Sequence, residues 1–174
     1  MNIILKERGL SIEPLVVSGT SMKTVNLNHN GGRSIGSGVS GVFHYGGIEN
    51  VGQMIELRKN SWIKEVKFDL QKNTYDTLVL KLLLYKVEAD RFTPLMDKPY
   101  YVYPAAGEHR QSFVCDLRDY DIRAGGTVYV RLEAVERKGD GIAVFPAYPD
   151  ARKWFVNMET GQKRSFSFGI GLQL

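Results

Sequence analysis

Alternation of apolar and polar positions dominates the chain. In WIKEVKFDL, Trp62, Val66, Phe68 and Leu70 fall on one face, with Lys64 among them near the start. Ile63, Glu65, Lys67 and Asp69 fall on the other. Successive side chains of a strand point to opposite faces, so this spacing predicts a half-buried strand. TVYVRLEAV repeats the pattern, with Val128, Val130, Leu132 and Ala134 against Thr127, Tyr129, Arg131 and Glu133. The ending SFSFGIGLQL sets Phe166, Phe168, Ile170, Leu172 and Leu174 against Ser165, Ser167, Gly169 and Gly171.

LVLKLLLYKV, from Leu78 to Val87, is apolar on both faces. It fits a central strand covered on both sides. Pattern alone fits a short helix as well, and the β-branched and aromatic residues of its neighbours favour strand. Shorter strand candidates are NIILK, PLVVSG, GQMIEL, YYVYP, SFVCDL, GIAVF and KWFVNM, with Gly, Pro, Asn or Asp between them. The expected class is all-β: an antiparallel two-sheet β-sandwich, jelly-roll-like, with little or no helix. No helical segments alternate with the strands, which argues against a parallel α/β sheet.

Residues 19–41 are rich in Gly, Ser, Thr and Asn and poor in large apolar side chains. They read as a linker. The expected organisation is an N-terminal strand pair at 1–18, the linker at 19–41 and a sandwich at 42–174. There is no internal repeat.

Composition fits that picture. The chain has 174 residues, 43% hydrophobic and 24% charged, enough for one sizeable core. Its net charge of +4 is scattered, the densest groups being the short Arg152-Lys153 and Lys163-Arg164. That argues against nucleic acid as a partner, which calls for a basic stripe. With a single cysteine, Cys115, no internal disulfide can form. The longest apolar run is interrupted by Lys81 and is too short for a membrane-spanning helix, so no span is expected. The opening MNIILKERGL has no cleavage-site pattern.

Two motifs overlap in GGRSIGSGVSG. Gly32-Arg33-Ser34-Ile35-Gly36 spells the elbow of a nucleophilic serine, and Gly36 to Gly41 spells G-x-G-x-x-G. Both chemistries need a buried strand before the glycines and a helix after them. NLNHN precedes the stretch and VFHYGG comes after it, so neither requirement is met. A hydrolase using Ser34 is therefore a remote alternative. His29, His44 and His109 lack metal-ligand spacing, and no cofactor or metal is expected. Cys115 alternates with Phe113 and Leu117 and reads as a core residue. Asp119 with Asp121, or Glu133 with Glu136, could be read as an acid–base pair only if their separation suited it. Surface charge is the plainer reading. Asp140, in RKGDGI, reads as a turn residue.

The suggestive binding feature is aromatic. PYYVYP carries Tyr100, Tyr101 and Tyr103, and FPAYPDARKWF carries Tyr148 and Trp154. Aromatic faces stack on sugars and anchor protein interfaces. Alternation puts Tyr101 and Tyr103 on one face and Tyr100 on the other, so part of the set must pack inward.

The order of segments resembles a known group. GQMIEL, then SWIKEVKFDLQKNTYDTLVLKLLLYKV, then FVCDLRDYDIRAGGTVYVRLEAV resembles the β-sandwich half of Bacteroidetes envelope proteins that carry a carboxypeptidase-regulatory-like domain ahead of it. The resemblance rests on Ile63, Lys64, Val66, Phe68, Asn73, Tyr75 and Asp76, and on Asp116, Leu117, Tyr120 and Ile122 leading into VYVRLE. NIILKERGLSIEPLVVSG looks like the last strands of the regulatory-like domain. Together the similar segments cover about residues 2 to 18 and 46 to 172. The resemblance implies a non-enzymatic β-sandwich in the cell envelope, periplasmic or associated with the outer membrane. The expected partner is a protein or a glycan of the envelope, the glycan alternative (a carbohydrate-binding accessory module) resting on the aromatic clusters. The rest of the regulatory-like domain is absent from the sequence, and Met1 is read as a native start or a fragment boundary. The resemblance supplies no catalytic residues.

Overall fold

A computed structural model describes residues 39–43, 50–146, 153–156, 163–166 and 174. Its strands are β1 (Val39–Phe43), β2 (Asn50–Trp62), β3 (Glu65–Leu70), β4 (Lys72–Asn73), β5 (Thr77–Glu88) and β6 (Arg91–Pro94). They continue with β7 (Tyr100–Val102), β8 (Gln111–Asp116), β9 (Arg123–Lys138), β10 (Ala143–Pro146), β11 (Lys153–Val156) and β12 (Lys163–Phe166). Among the described residues, one 3-10 turn at Arg118–Tyr120 is the only helical element. The fold is all-β and antiparallel, as the alternation predicts.

The pairings nest. β1 meets β10, β2 meets β9, β3 meets β8, and β5 meets β7. The larger sheet runs β12-β11-β2-β9-β5, with β6 and β7 both on the far side of β5. In the other layer β10 lies between β1 and β4. β3 continues from β4's side: Gln71, between the two strands, donates its N–H to the Val144 carbonyl at 2.7 Å. Each nested pair thus lies in the layer opposite its neighbour's, down to β5 and β7 in the larger sheet. This is jelly-roll connectivity.

The core lies between the layers. β5 contributes Leu78, Leu80, Leu82 and Leu84, and β9 contributes Val128, Val130 and Leu132. Val66, Phe68, Leu70, Cys115 and Phe145 face them from the smaller layer. Phe68 stacks on Phe113 at 5.0 Å and packs 6.3 Å from Phe145. β5 is central, as expected. Its second face is only partly covered: Val79 and Tyr85 are buried, while Lys81 and Leu83 are half-buried.

Two positions depart from the alternation. Ile63, expected on the polar face of a nine-residue strand, is 3% exposed. The chain leaves the larger sheet after Trp62 and enters the smaller one at Glu65. At that corner Ile63 N–H donates to the Ile122 carbonyl (2.9 Å) and Leu117 N–H to the Lys64 carbonyl (2.7 Å), which breaks the period. Tyr129, also expected on a polar face, is 0% exposed. It joins Tyr85 in a second cluster on the outer face of the larger sheet, with Met54, Leu83, Val87 and Phe92 around them. Tyr129 and Phe92 meet edge to face at 5.5 Å.

Gly52 makes room for that ring. A Cβ at Gly52 would collide with the Tyr129 ring and hydroxyl. Glycine in a strand interior often marks such a close approach. Gly52→Ala is expected to lower the unfolding free energy by about 1–3 kcal/mol through overpacking. In a Tyr129→Ala background the same substitution should cost clearly less. Urea melts of the four proteins check this, and strictly additive losses would clear the ring of blame.

Candidate functional site

The outer face of the larger sheet carries a polar row beside the aromatic cluster. Register places Asn50 of β2 opposite Glu133 of β9, Glu133 opposite Lys81 of β5, and Lys81 opposite Tyr101 of β7. Adjacent strands lie about 4.8 Å apart, so this row spans roughly 14 Å. In the neighbouring row, Gly52 stands between Trp154 of β11 and Arg131 of β9. Inward-facing Leu80, Leu82, Leu132 and Ala134 force the residues between them outward, which is why charged side chains collect here.

Glu133 is the centre of the row. Its carboxylate accepts Lys81 Nζ at 3.1 Å and the Arg131 guanidinium at 3.0 Å. About a quarter of the Lys81 and Glu133 side chains remains exposed, and only 11% of Arg131. Two cations share one carboxylate, leaving a local surplus of one positive charge. Asn50 Oδ1 and Arg131 Nε, both buried, have no hydrogen-bond partner among the described residues. A buried polar atom without a partner costs about 1–3 kcal/mol.

The tyrosines divide as the alternation predicts. Tyr101 is 46% and Tyr103 71% exposed. Tyr100 turns inward, packs against the core and lies 6.4 Å from the Tyr120 ring, so it supports the fold. Trp154 stands on β11, while Tyr148 lies outside the described residues. The backbone just beyond Tyr103 is held by Asn73, a residue that periodicity does not single out. Asn73, 0% exposed, donates from Nδ2 to the Pro104 and Ala105 carbonyls at 3.3 and 3.1 Å. Its Oδ1 accepts the Tyr75 N–H at 3.2 Å. The Gln111 amide grips Ala105 from the other side, donating at 2.7 Å and accepting at 3.0 Å. With Val102 buried in the core, Tyr103 sits between two anchored points.

Glu133 apart, the candidate catalytic groups that the structure describes fall outside the row. Cys115 is 1% exposed, and burial pushes its thiol up to about 12. Such a group packs; it does not attack. Glu133 is shared by Lys81 and Arg131, whereas Glu136 pairs with Lys138 at 2.8 Å. Asp119 and Asp121 are exposed around the 3-10 turn, and Asp121 pairs with Arg123 at 3.3 Å. His109 is exposed between β7 and β8. Asp140 lies in the bend between β9 and β10, as its sequence context predicts. Val39 to Gly41, where a dinucleotide loop would begin its helix, belong to strand β1. These three residues also close the 19–41 stretch. Ser34, His29 and His44 lie outside the described residues, as do NIILK, PLVVSG and most of SFSFGIGLQL. Among the described residues, no cluster of three His, Cys, Asp or Glu side chains could hold a metal ion. None of their helices is long and apolar enough to cross a membrane.

Burial of the thiol has a chemical consequence. Native protein at pH 8 should resist iodoacetamide, with labelling appearing only on denaturation. Folded Cys115 keeps its proton while the unfolded thiol loses it from about pH 9, the ordinary value. Its contribution to stability is therefore full below pH 9 and declines as the pH rises toward 12. Rapid native labelling at pH 8 would contradict the assignment.

Compared with protein families, curated proteins and solved structures, the chain matches no family model, no curated protein and no solved structure.

Proposed function

We propose that this chain is a non-catalytic binding module of the cell envelope, and that the outer face of its larger sheet recognises a glycan. One observation carries the reading: exposed Tyr101 stands on the same face as a row of amide, carboxylate and ammonium groups, and the still more exposed Tyr103 follows two residues along the chain. A sugar ring has an apolar face that stacks on an aromatic ring, and an equatorial fringe of hydroxyls that needs polar partners. Tyr101 and Tyr103 answer the first need, and Asn50, Lys81 and Glu133 the second. The buried thiol and the cation-bound glutamates support a module without catalysis. The envelope location rests on the resemblance of the strand segments.

A protein partner is the second reading. Among the described residues β8 pairs with β3 alone, and its Val114 is 58% exposed. Edge strands of this kind accept a further strand from a partner.

A glycan array probed with wild type and with a Tyr101→Ala/Tyr103→Ala variant separates the two. The variant should lose about tenfold or more in glycan affinity. Its stability should stay within about 0.5 kcal/mol of wild type, because both side chains are exposed. Wild type that bound no glycan would remove the first reading.

A further inference from the structure

We infer that the row centred on Glu133 selects an acidic polysaccharide, one built from uronate units; this rests on the glycan reading above. Four features point the same way. Lys81 and Arg131 share the single carboxylate of Glu133, so the row keeps one uncompensated positive charge. Arg131 holds Glu133 through its terminal nitrogen, leaving Nε–H as an unanswered donor. Asn50 Oδ1, in the next position across the sheet, is an unanswered acceptor and only 8% of its residue is exposed. Tyr101, at the far end of the row, offers an open ring opposite Lys81.

A hexuronate fits that set. Its carboxylate accepts from Lys81 Nζ, the more exposed cation of the row, and takes up the surplus charge that the shielded Arg131 adds from beneath. The apolar ring face of a neighbouring unit lies on Tyr101, and a hydroxyl reaches Asn50 Oδ1 only once the side chains that shield it move aside. Hydrogen bonds between charged groups are about twice as strong as neutral ones, so the carboxylate accounts for most of the selectivity. A neutral glucan brings only hydroxyls and leaves the charge unanswered. Nucleic acid needs several phosphates neutralised together, and a single surplus cation does not supply that.

Affinity electrophoresis of the whole chain through gels containing polygalacturonate, alginate or dextran tests the inference. Wild type should be retarded by at least one of the two polyuronates and not by dextran. Lys81→Met keeps the aliphatic stem and should weaken polyuronate binding about tenfold. Glu133→Gln frees both cations and should strengthen it several-fold. Lys67→Met, on the opposite layer, is the control for general attraction of a basic protein to a polyanion. Thermal melts of Lys81→Met and Lys67→Met should overlay that of wild type, while Glu133→Gln, which leaves the shielded Arg131 without its carboxylate, should melt lower but still cooperatively. Equal losses in Lys67→Met and Lys81→Met would overturn the inference, as would polyuronate binding indifferent to Lys81. Dextran retardation that depends on Tyr101 would overturn the acidic selectivity while leaving the glycan reading standing. No retardation by any of the three, together with an empty glycan array, would overturn both.

Discussion

Strand β9 runs between β2 and β5 in unbroken register from Thr127 to Glu133, and that register decides which side chains share each face of the larger sheet. A slip of one residue would exchange the faces, sending Arg131 and Glu133 into the sandwich and Val130 and Leu132 into solvent. Burial of Val128, Val130 and Leu132 against the facing layer makes such a slip prohibitively unfavourable. Irregularity is confined to the two ends of the strand: at its start, the pairing with β2 shifts between Leu57 and Ser61, opposite Gly126 and Ala124. Between Val79 and Leu80 the pairing skips Val135, an extra residue left 44% exposed, and a bulge of this kind absorbs a mismatch without disturbing the ladder before it. The polar row is thus a by-product of core packing: its members stand outside because their neighbours stand inside.

The outer face has two regions with different physics. Toward Met54 and Phe92 it is a closed aromatic cluster, with Tyr129 wedged over Gly52. Toward Asn50 and Tyr101 it is charged and partly open. Arg131 lies at the seam, its guanidinium mostly shielded from water. Ion pairs between exposed groups are weak, whereas shielding of this degree strengthens attraction and makes an unanswered donor more costly.

Alternation within single strands makes the class of fold legible. It places Val66, Phe68, Leu70 and Cys115 inside, and it separates Tyr100 from Tyr101 and Tyr103. It carries nothing that requires two distant segments. Tyr129 is hidden because a glycine stands beside it on another strand, and nothing within TVYVRLEAV says so. Ile63 is buried because the chain changes layers there, and an uninterrupted pattern gives no notice of a corner. Asn73 stands in the segments that carry the resemblance, yet its grip on Pro104 and Ala105 is a tertiary bond that no local spacing announces. The row of Asn50, Glu133, Lys81 and Tyr101 is assembled from four strands. Each member looks like an ordinary solvent-facing residue in its own segment, and only register brings them together.

The nesting of pairs has a kinetic meaning. Val39 meets Pro146 across nearly the whole described chain, and closing so long a loop from an open coil is entropically unfavourable. The inner pairs remove most of that loop beforehand. β5 and β7 close a short segment, β3 and β8 then span little free chain, and β2 with β9 leave only a small gap for β1 and β10. The jelly roll can therefore zip outward from its centre, each closure lowering the effective contact order of the next.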